Sequence, residues 1–123
     1  MCHGRRAEEP EGTPMTQYVQ VQVAIDDRAK AAELAGSAVR ARLAACAQIV
    51  GPITSVYRWK GEVEAAEEFL LLVKTTRERS AELTEHLRRA HPYETPEIIC
   101  LPIEGGLDAY LSWIGEETRT SQA

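Results

Sequence analysis

The 123-residue chain reads as an α+β domain, an antiparallel sheet with two helices on one face and a short C-terminal helix. Three observations predict this. The first patterned segment alternates apolar and polar residues. Two later segments repeat their apolar residues at helical spacing. The segments follow one another as β-α-β-β-α-β, with no internal repeat and no linker to divide them.

The elements are justified in order. In "TQYVQVQVAI" (16–25), Val19, Val21, Val23 and Ile25 share one face, and Tyr18, Gln20, Gln22 and Ala24 share the other. That is a strand with one face in a core. Asp26 and Asp27 are good helix N-caps. "RAKAAELAGSAVRARLAACA" (28–47) then carries Ala31, Leu34, Ala35, Ala38, Val39 and Leu43 as one apolar stripe. "QIVGPITSVYRWKGEV" is β-branched and aromatic, and Gly51-Pro52 predicts a bulge or bend within it. "EAAEE" (64–68) reads as the turn of a hairpin, and "EFLLLVKTT" as its returning strand. "RERSAELTEHLRRAH" (77–91) is a second helix, with Leu83, Leu87 and Ala90 on its inner face and a Glu85–Arg89 pair outside. "PEIICLPI" is the last strand, and "LDAYLSWIGEETR" the terminal helix. This order is the ferredoxin-like split βαβ arrangement.

Such a sheet ordinarily leaves its second face to water, so its strands should alternate. Phe69 to Val73 instead form five apolar residues in a row, and Ile98, Ile99 and Leu101 put apolar groups on both faces. Either the terminal helix or another subunit covers that face. Tyr57 and Trp59, on a hairpin long for so small a domain, favour a subunit.

Lys plus Arg total 14 and Asp plus Glu 19, for a net charge of −5. With no basic stripe, nucleic acid is excluded as a partner. No apolar run approaches a membrane span, so no membrane is expected. "MCHGRRAEEPEGTP" lacks the apolar centre of a signal peptide and reads as a disordered tail over 1–15. Met15 is a second candidate start. The domain is expected over 16–119, with a frayed end over 120–123. Three cysteines, Cys2, Cys46 and Cys100, include no CxxC pair, which predicts reduced thiols and a cytoplasmic protein. Cys2 and His3 are an adventitious chelating pair in the tail.

No GxSxG, P-loop, GxGxxG or HExxH occurs, and the chain is not expected to be an enzyme. The stretch "HPYETPE" (91–97) sets His91 directly before Pro92, and Tyr93 and Glu94 between Pro92 and Pro96. Imidazole, thiolate and carboxylate are ligands for copper and zinc. His91 and Glu94 across the turn would form half a site, needing a third ligand from elsewhere or from a neighbour. His86, five residues before His91, points to another helix face. A purely structural reading also fits. His91 closes a helix before Pro92, Pro96 opens a strand, and Tyr93 caps the core with its hydroxyl in water.

"RLAACAQIVGPITSVYRWKGEVE", "LLVKTT", "AHPYETPEIICLPI" and "YLSWI" resemble the CutA family, the divalent-cation-tolerance proteins, from about Val19 to Glu116. The resemblance implies a compact homotrimer, similar in architecture to PII signalling proteins, in which one subunit's hairpin lies along its neighbour. It implies that Tyr57, Trp59, Lys74, His91, Tyr93 and Glu94 line or border an inter-subunit cleft. It attaches divalent cations, copper first, to His91, with Glu94 and with Cys46 of the "AAC" block as lesser ligands. Some members carry a second histidine where this chain has Ala90, which leaves His91 short of a partner. No required cofactor is implied. The rival expectations are a PII-like module holding a small anionic metabolite on Lys74 and an aromatic ring, and a structural trimer with no ligand at the corner.

Overall fold

The computed structural model describes residues 16–119. The expectations for the tail, Met15, Cys2–His3 and the frayed end fall outside the described residues. The elements are β1 (Tyr18–Ile25), α1 (Arg28–Arg40), β2 (Cys46–Trp59), β3 (Glu62–Thr76), α2 (Arg77–Ala90), β4 (Ile98–Ile103) and α3 (Asp108–Glu117). The strands form one antiparallel sheet in the order β2-β3-β1-β4, the ferredoxin-like arrangement.

Alternation in β1 decides which face is buried. Val19, Val21, Val23 and Ile25 are fully buried. Register carries the same face across the sheet, through Ala47, Val73, Val21 and Cys100 in one row and Ile49, Leu71, Val23 and Ile98 in the next. Ala31, Leu34 and Ala38 of α1 and Leu83 and Leu87 of α2 close over it. Small alanines let α1 lie close to the strands, where dispersion contacts are densest.

Three local expectations are corrected. The first helix stops at Arg40 rather than continuing to residue 47. Arg42 takes φ 60, its N–H bonds Val39 O, and Leu43 N–H bonds Ala38 O, both at 3.0 Å. That is a Schellman closure with arginine where glycine is usual. It persists because the guanidinium reaches Glu116 O at 3.2 Å and Arg119 O at 3.3 Å, at the end of α3. The hairpin turn is not at 64–68 but at Lys60-Gly61, with φ 51 and 83. Positive φ at both central positions matches the twist of the flanking strands, so β3 begins at Glu62. The inner face of α2 ends at Leu87, and Ala90 is exposed. The expected Glu85–Arg89 pair is present at 3.9 Å, beside a closer Glu85–Arg88 pair at 2.6 Å.

The expected irregularity at Gly51-Pro52 is present as a register shift between Val50 and Ile53. Beyond it, 53–59 and 62–68 pair, among the described residues, only with each other. They form a two-stranded arm that leaves the sheet.

On the second sheet face, α3 packs over β1 and β3 with Ile114 fully buried. A methyl at Gly115 would sit 3.8 Å from Tyr18 Oη. Coverage is partial, because Val50, Ile99 and Leu101 are 43%, 46% and 39% exposed. Among the described residues, no helix is long and apolar enough to cross a membrane.

Candidate functional site

His91 caps α2. Pro92 excludes the helical conformation at the preceding residue, and His91 adopts φ −77, ψ 138 while its N–H still bonds Leu87 O. The chain then turns back over the end of β1. The His91 ring is 6% exposed. Its Nε2 lies 2.8 Å from Ala24 O, and its Nδ1 lies 3.1 Å from the Tyr93 amide nitrogen. A carbonyl only accepts and an amide N–H only donates. Nε2 therefore carries the proton and Nδ1 offers its lone pair to Tyr93. Both ring nitrogens are engaged.

Tyr93 stacks edge-on against His91 with centroids 4.6 Å apart. Its hydroxyl donates to Glu68 Oε2 at 2.9 Å. Burial first, then the hydrogen bond and charge of Glu68, then Asp26 and Tyr57, push the phenol well above its ordinary pKa. Glu68 is 9% exposed. Sequence reasoning missed Glu68 and Asp26. The sequence offers Asp26 and Asp27 alike as caps, and Asp27 is the cap, accepting from Lys30 N at 3.0 Å. The available signal was parity. Glu68 shares a strand face with Leu70 and Leu72, directly before the apolar run. Glu94, beside the corner, is exposed.

Cys46 lies elsewhere. It opens β2, opposite Lys74, in the sheet row that includes Gln20. Ala24 is four strand residues from Gln20, about 13 Å along the strand. The partly buried thiol is free, with Sγ 3.4 Å from Tyr110 Oη. The Cys46 contact first, then burial, push the Tyr110 hydroxyl up to about 12. Lys74 Nζ donates to Gln48 Oε1 at 2.8 Å, a neutral partner. Tyr57 and Trp59 sit on the arm, 43% and 55% exposed. His86 Nε2 meets Ser37 Oγ at 2.7 Å and ties α2 to α1. A groove of about 370 Å³, lined by Leu34, Ser37, Ala90 and Pro92 among others, runs on the helical side.

The predicted residues thus fall in three places. His91, Tyr93 and Glu94 make the corner, Cys46 and Lys74 lie farther along the second sheet face, and Tyr57 and Trp59 ride the arm. Among the described residues, no three His, Cys, Asp or Glu side chains are grouped to hold a metal ion. Within this chain His91 and Glu94 lie at the corner and Cys46 lies apart from them.

The family model described as CutA1 divalent ion tolerance protein matches residues 19–117. The chain is 45% identical over 104 residues to the divalent-cation tolerance protein CutA of Thermus thermophilus, covering 85% of this chain and 99% of that one. It is 42% identical over 109 residues to the chloroplastic protein CutA of Arabidopsis thaliana, covering 89% of this chain and 60% of that protein. The chain thus spans about three-fifths of that plant relative. The crystal structure of CutA1 from Oryza sativa superposes with a TM-score of 0.82 at 42% identity, covering 86% of this chain and 97% of the other.

Proposed function

Because the chain belongs to the CutA1 divalent ion tolerance family, we propose that it serves divalent-cation tolerance as a cytoplasmic, non-enzymatic homotrimer that takes up copper at Cys46. One observation carries the choice of Cys46 over the corner, namely that both ring nitrogens of His91 are already hydrogen-bonded. Ligation by His91 would break one of those bonds in a nearly dry site, where an unmet polar group costs about 1–3 kcal/mol. Cys46 offers a free, partly exposed thiol, the soft ligand that copper favours. Further ligands would come from neighbouring subunits, with Glu94 the exposed carboxylate of the corner. The uncovered second sheet face supports assembly.

Calorimetric titration of copper into the full chain tests this, with the tail ligands replaced (Cys2→Ser, His3→Ala) in every variant. Cys46→Ser is expected to abolish stoichiometric binding, and His91→Ala to retain it. Loss in His91→Ala alone, with the fold intact, returns the site to the corner.

Lys74 favours a second reading. Its side chain is held by a neutral amide, which leaves its charge for an anion. A small anionic metabolite would then raise the melting temperature of the parent and not of Lys74→Ala.

A further inference from the structure

Among the described residues, the arm formed by 53–59 and 62–68 has no third strand beside it. Within one copy of the chain, the direction of such a ribbon is set by the contacts at its root. Two latches meet there, one from each face of the sheet. Glu68 and Phe69 are adjacent on β3, so their side chains point to opposite faces. Glu68 faces Ile53, the first pair beyond the bulge, and receives the Tyr93 hydroxyl at 2.9 Å. Phe69 lies on the helical face, with the Arg28 guanidinium 4.8 Å from its ring centroid. Arg28 Nη2 also donates to Gly51 O, inside the bulge, at 3.0 Å. Each latch is anchored in the body of the domain. Arg28 starts α1, and Tyr93 is tied through His91 to Ala24 at the end of β1.

We propose that Tyr93 and Arg28 are positioning residues that clamp the root of the β2–β3 arm from opposite faces of the sheet and set the direction in which it projects. The arm carries Val56, Tyr57, Trp59 and Val63, all exposed, so its direction decides where that apolar surface is presented. HPYETPE is then one half of a hinge lock. A ligand or modification that took Tyr93 away from Glu68 would release the arm without unfolding the sheet. The inference rests on the corner being structural. Copper lost in His91→Ala would fail that reading, whereas the experiment below fails the clamp alone.

Amide hydrogen exchange of the full chain, read by peptide mass spectrometry, separates clamp from general support. In Tyr93→Phe and in Arg28→Met, exchange over 53–59 and 62–68 is expected to rise about tenfold or more, the scale of a lost hydrogen bond to a charged group. Amides of β1 and α2 should exchange as in the parent. Arm exchange unchanged in both variants overturns the proposal, and so does acceleration shared equally by β1. If either variant fails to fold, Glu68→Gln, which weakens the same latch at constant shape, is judged by the same two criteria.

Discussion

A ring whose Nε2–H reaches one carbonyl and whose Nδ1 receives one amide has no lone pair left to offer. His91→Ala would strand Ala24 O and the Tyr93 N–H and leave a void. The expected loss is about 2–4 kcal/mol, visible as a lower urea midpoint at unchanged slope. Tyr93 and Tyr110 give an alkaline signature. Both hydroxyls have folded-state pKa values raised above the ordinary 10.0, that of Tyr110 to about 12. The fold therefore favours the protonated phenols. Their contribution is complete below pH 10 and is lost as pH climbs through the folded values. Urea midpoints should fall between pH 9.5 and about 11.5, and the fall should be shallower in Tyr110→Phe. An equal slope in parent and variant refutes this role for Tyr110.

At the scale of elements, the sequence is legible where side chains alone dictate the backbone. Alternation from Tyr18 to Ile25 gave the central strand, and Gly51-Pro52 marked the bulge. It is less legible where a tertiary contact holds an unfavourable dihedral. Nothing local forces Arg42 into the left-handed region, since two carbonyls of α3 hold it there. At Lys60-Gly61 only the glycine signals the turn, and five flanking residues rich in Glu and Ala concealed it. The corner was legible as a rigid prolyl turn, but its buried partner Glu68 arrives from a strand 25 residues away. Two substitutions test these backbones. A Cβ at Gly51 would lie 2.8 Å from Phe69 Cδ2 and 3.1 Å from Glu68 O at φ 148. Gly51→Ala should thus destabilise by about 2 kcal/mol or more. Lys60→Asn, which tolerates positive φ, should stabilise by about 0.5 kcal/mol. Thermal melts read both.

For the whole molecule, the uncovered part of the second sheet face is the main term. Val50 on β2 and Ile99 and Leu101 on β4, at the two edges of that face, are too exposed to be core. If copies of the chain cover them, Ile99→Glu should shift the sedimentation coefficient to that of a single subunit while far-ultraviolet circular dichroism stays native. A parent that already sediments as one subunit removes the proposed trimer. The position of β1 has a different consequence. It is the first of the four strands in the sequence, yet it is an inner strand, flanked by β3 and β4. During synthesis from the N-terminus it leaves the ribosome with both edges bare. One edge waits for residues 69–76 and the other for 98–103. The β2–β3 hairpin needs only its own turn, so it is ready before β1 has a partner. Translation thus exposes this valine-rich segment to chaperones, or to β1 of another nascent chain, until the last strand is made.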